Sequence, residues 1–105
     1  MKNVQTFTSQ IHLPLAESYS VEDIKCVCKE YCKNFSWVVS FSEIELIFPN
    51  GSVPGIVVAA MVSCPLDVGM NHTMELAKSI MRVIPIPDIK IIYPDETIIL
   101  ERSDL

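Results

Sequence analysis

The side chains of this 105-residue sequence that could do chemistry beyond simple acid–base balance are four cysteines, two histidines and five methionines. Cys64 is the candidate nucleophile. It closes an apolar run just before a helical pattern, where the helix N-terminus would stabilise a thiolate. A catalytic thiol also needs a base, and His12 and His72 are the two candidates. Nothing in the spacing brings either beside Cys64, so a small residue closing a strand is the simpler reading.

Cys28 and Cys32, four apart, share one helical face and are the candidate soft-metal ligands. Cys26 points nearly the opposite way, and no second pair of ligands follows at zinc-site spacing. Core packing therefore accounts for Cys28 and Cys32, and neither a metal nor another cofactor is expected. Met70 and Met74 read as packing residues too, since a helix turns His72 away from them, to the margin of the buried face near Leu76 and Val83. No phosphate loop, dinucleotide fingerprint, metalloprotease helix or serine elbow is present, and the chain has three glycines.

Seven elements position these residues. Val4 to Leu13 alternates as a strand, with Phe7, Ile11 and Leu13 on one face and Thr6, Thr8, Gln10 and His12 on the other. Ser20 and Asp23 form a loose capping box that predicts a helix from about Val21 to Phe35. Trp37 to Phe48 reads as a strand whose apolar phase slips near Ser42, the mark of a bulge or a later start. Pro49-Asn50-Gly51-Ser52 supplies turn residues leading to a strand over Ile56 to Ser63, apolar enough to be central and covered on both faces. A helix from Val68 or Gly69 to Val83 ends before Pro85 and Pro87. Ile89 to Tyr93 and Thr97 to Glu101 complete the order βαββαββ. The segment Glu43 to Ser52 is echoed by Asp88 to Thr97, which suggests two related helix-hairpin units.

With right-handed crossovers this order gives an α+β, ferredoxin-like βαββαβ sandwich with an added C-terminal strand, and both helices on one face of an antiparallel sheet. The whole of residues 1–105 reads as a single domain. Its open face is expected to carry Thr6, Thr8, Gln10, His12, Glu43, Glu45 and Lys90, a polar and acidic surface.

The net charge of −5, thirteen acidic residues against eight basic, disfavours direct nucleic-acid binding. No apolar run has signal-peptide or bilayer length, so the sequence reads as cytoplasmic, with no membrane partner and free thiols. Three glycosylation sequons and the terminal Arg102-Ser103-Asp104-Leu105 lack a secretory context for the same reason. On sequence alone the chain reads as a non-enzymatic interaction or regulatory module. It would be a homodimer, and would bind a protein partner, for instance as an acidic inhibitor, through Thr6, Thr8, Gln10, His12, Glu43 and Glu45. The alternative is a small cysteine-dependent enzyme or ligand-binding protein built on Cys64.

Overall fold

Strict alternation in the first strand decides how the sheet faces. The computed structural model describes residues 1–16 and 18–105. In β1 (Phe7–Pro14), Phe7, Ser9, Ile11 and Leu13 are buried, while Thr8, Gln10 and Pro14 are exposed and His12 is half-buried. Helix α1 (Val21–Phe35) starts where the sequence implies. The Ser20 hydroxyl accepts from the Asp23 amide and the Asp23 carboxylate accepts from the Ser20 amide. Its face carrying Ile24, Cys28 and Tyr31 is buried. Helix α2 (Leu66–Val83) buries Leu76, Ala77, Ile80 and Met81.

Between the helices run β2 (Val39–Phe48) and β3 (Gly51–Val62); β4 (Asp88–Ile92) and β5 (Thr97–Glu101) follow α2, and a short 3₁₀ turn, Arg102–Asp104, ends the chain. The five strands lie in the order β2-β3-β1-β4-β5, and every neighbouring pair is antiparallel. An α+β fold with a five-stranded antiparallel sheet and two helices is thus borne out. The two echoing segments are the hairpins at opposite edges of this sheet, each with a proline in its turn.

Several details differ from expectation: β1 starts at Phe7 rather than Val4, β2 at Val39 rather than Trp37, β3 at Gly51 rather than Ile56, and α2 at Leu66 rather than Val68 or Gly69. The β2–β3 register runs unbroken from Val39↔Ala60 to Phe48↔Gly51, so no bulge interrupts β2. Strand β3 is covered on one face only: Ile56, Val58 and Ala60 are buried, whereas Val57 and Ala59 are half-buried and Met61 is exposed. Its apolar run therefore supplies an uncovered apolar surface. The core lies between the helices and the other face of the sheet, around Ile11, Leu13, Ile24, Ile56, Leu76 and Ile80, each at most 1% exposed. Fully burying an aliphatic side chain of this size stabilises a fold by roughly 1.5–3 kcal/mol.

Candidate functional site

Cross-strand pairing sorts the open face into rows. Thr8 lies opposite Met61; Gln10 lies between Ala59 and Ile92; His12 lies between Val57 and Lys90. Ser40 continues the Gln10 row beyond Ala59. Because Ala59 and Ser40 are small, the row dips, leaving a hollow of about 250 Å³ lined by Thr8, Gln10, Ser40, Ala59, Met61 and Ile92, with Tyr93 at its edge. Polar groups thus meet apolar walls, as in small-molecule sites. Beside it, His12 Nε2 donates to Gln10 Oε1 at 2.7 Å. Burial first, and the charge of Lys90 second, lower the His12 pKa below its ordinary value, so the ring is neutral at pH 7.

Other expected binding residues fall elsewhere. Glu43 pairs with buried Ile56, and Glu45 with Pro54, so both lie on the helix side of β2, away from Thr8, Gln10 and His12. The open face is consequently not acidic around the hollow. It is apolar along the β2–β3 arm, through Ile44, Leu46, Phe48 and Val53. Thr6 precedes β1 and lines a separate crevice with Cys64.

That crevice, about 220 Å³, is formed by Gln5, Thr6, Phe7, Cys64, Leu66 and Pro94. Neither histidine lines it. His12 stands five residues beyond Phe7 along β1, about 17 Å away at roughly 3.4 Å per residue. His72 is held by the Tyr31 hydroxyl at 2.8 Å from Nδ1 and stacks on Trp37, with ring centroids 4.7 Å apart. The proposed thiol–imidazole pair is not assembled.

The cluster of Tyr31, Phe35, Trp37 and His72 has no counterpart in the sequence reading. Next to it a groove of about 440 Å³ runs between α1 and β2, lined by Lys25, Cys28, Lys29, Cys32, Trp37, Val38, Val39 and Phe41. Burial pushes the Cys28 thiol up to about 12, with Cys32 adding to the effect. Cys32 is raised as well by burial, partly offset by the backbone of Val39. Both thiols are therefore poor nucleophiles at neutral pH.

No family model and no curated protein matches the sequence. The fold, however, is similar to that of a phage SAM lyase in complex with S-methyl-5'-thioadenosine. The TM-score is 0.75 at 12% identity, over 98% of this chain and 96% of that chain. The apo form of a phage SAM lyase matches with a TM-score of 0.69 over the same shares of both chains. This likeness overturns the expectation of a non-enzymatic interaction or inhibitor module. The likeness runs over nearly the whole length of both chains, and the protein matched is a lyase.

Proposed function

We propose that this protein binds S-adenosylmethionine and cleaves a carbon–sulfur bond of its sulfonium centre, releasing S-methyl-5'-thioadenosine. The observation that carries the reading is the end-to-end fold likeness to a lyase captured with that nucleoside. The chemistry suits a chain without a nucleophile–base pair. When the bond breaks, the electron pair moves onto sulfur and a neutral thioether departs, so the leaving group needs no proton. The carbon left behind is satisfied within the substrate, by its own carboxylate or by loss of a neighbouring proton. The protein has to fix that geometry and exclude water.

The hollow on the open face is the proposed site. Thr8, Gln10 and Ser40 offer hydrogen bonds to ribose or base, and Met61 and Ile92 give apolar walls. Lys90, one row further along, suits the substrate α-carboxylate. His12, neutral and donating through Nε2 to Gln10, keeps the Nδ1 lone pair as the available proton acceptor. The groove between α1 and β2 is the poorer choice, because Lys25 and Lys29 would repel the sulfonium cation.

The reading extends to three finer points: a ferredoxin-like sandwich with an added edge strand, a homodimer, and a cytoplasmic setting that suits the four free cysteines. Incubating purified protein with S-adenosylmethionine and following S-methyl-5'-thioadenosine by chromatography tests the activity, with heat-denatured protein controlling for spontaneous breakdown. Release above that control, lost in Gln10→Ala, is the expected result. A native protein that neither binds S-methyl-5'-thioadenosine nor exceeds the control overturns the reading.

A further inference from the structure

The groove between α1 and β2 combines features that the proposed lyase site leaves unused. Phe41 and Trp37 form apolar walls and Cys28 contributes a thiol that stays protonated at neutral pH. Trp37 is 7% exposed, and its buried Nε1–H has no partner among the described residues. A buried donor left unpaired costs about 1–3 kcal/mol, so the fold keeps an unmet hydrogen bond on a residue that walls the groove.

Charge selects the occupant. In a chain of net charge −5, Lys25 and Lys29 both line this groove. Lys29 makes no salt bridge among the described residues, and Lys25 reaches only Glu22 at 3.7 Å, an exposed contact of little strength. Lys25 Nζ also sits 5.2 Å from the Phe41 ring centroid, which holds the charge over the apolar wall. Glu43, two residues beyond Phe41 on the same side of β2, marks where the positive stretch ends.

We propose that this groove is a second binding site, for a small amphipathic carboxylate whose chain lies on Phe41 and Trp37 and whose head group is held by Lys25 and Lys29. The assignment does not depend on the lyase reading. Trp37 is the one tryptophan of the chain, so its fluorescence reports the groove directly.

Titration with octanoate, octanol and octylamine supplies the test. A saturable change in Trp37 emission is expected with octanoate, about tenfold weaker with octanol and weaker still with octylamine, given the usual strength of a hydrogen bond to a charged group. Lys25→Glu with Lys29→Glu should weaken octanoate by at least that factor; Lys29 is exposed and Lys25 half-buried, and circular dichroism checks that the variant folds. The indole N–H resonance of Trp37 should shift with the same midpoint as the emission. No response to octanoate, equal responses to all three probes, or an unchanged response in the double variant each overturns the proposal.

Discussion

Arg102 carries more structural weight than its place near the end of the chain suggests. Its guanidinium donates to the carbonyl oxygens of Met81, Ile84 and Ile86 over 2.8–3.2 Å. These are carbonyls at the end of α2 and just beyond it, where a helix leaves acceptors unmet. Arg102→Ala is expected to lower stability by about 1–3 kcal/mol, read from urea denaturation. Arg102→Lys should recover only part, since an ammonium cannot span the same acceptors as the planar fork; full recovery would show that charge alone matters. His12 gives a second residue-level expectation. Its folded pKa lies below the unfolded value, so between the two the unfolded chain holds more protons, and stability falls as pH drops through about 6.5 toward the lowered pKa. His12→Gln should flatten that part of the stability–pH curve, and an unchanged curve would refute the assignment. Arg102 read only as part of a tail, and the sequence placed His12 on the open face without showing that β4 sets Lys90 beside it. No local spacing brings Tyr31, Trp37 and His72 together either, because their contacts form only when α1 packs on α2.

Elements were legible where one face is buried and a local signal marks the end. The Ser20–Asp23 capping box fixed the start of α1, and the alternation of β1 fixed which of its residues are buried, although the strand starts at Phe7 rather than Val4. Strand β2 was legible as an element but its two faces were not, and the reason is physical: Ile44, Leu46 and Phe48 sit on the face without helices, and Glu43, Glu45 and Ile47 on the other face are exposed. With neither side buried in this part of the arm, polar and apolar residues lose the pattern that would tell the faces apart. That is why Glu43 and Glu45 were assigned to the wrong surface. The packing of α2 on β1 has its own marker, Gly69. A Cβ there would run into the ring of Phe7. Gly69→Ala should therefore push α2 away from the sheet and cost about 1–3 kcal/mol by overpacking, whereas Gly69→Ala combined with Phe7→Leu should regain stability. Denaturation midpoints of the two variants decide the matter, and a harmless single substitution would mean that the helix shifts freely.

At the scale of the molecule, the two faces of the sheet are treated unequally. One is covered by α1 and α2 everywhere but at the end of the β2–β3 arm; the other leaves Met61 76%, Ile99 55% and Phe48 52% exposed, beside the half-buried Ile44, Leu46 and Val57. Along the arm, Ile44, Leu46, Val53 and Phe48 fall in neighbouring rows and form an apolar surface of the kind that usually marks an interface, while Ile99 stands apart beyond His12 and Lys90. The hollow proposed for the substrate opens on this same face, too shallow on its own to enclose a nucleoside, so a second copy laid across the arm would both cover the apolar rows and wall the hollow. The sequence reading missed this surface because it placed Glu43 and Glu45 of β2 beside the polar residues of β1 and took β3 as covered on both faces, whereas β2 and β3 supply apolar residues here. Phe48 and Ile99 lie outside the hollow, so Phe48→Glu with Ile99→Glu should shift the sedimentation coefficient toward the 11.8 kDa monomer without unfolding the chain. The same variant should slow release of S-methyl-5'-thioadenosine more at low protein concentration than at high, as expected when a dissociating interface completes the site. A wild-type protein that sediments as a monomer at all concentrations, with activity proportional to concentration, would leave each chain to act alone.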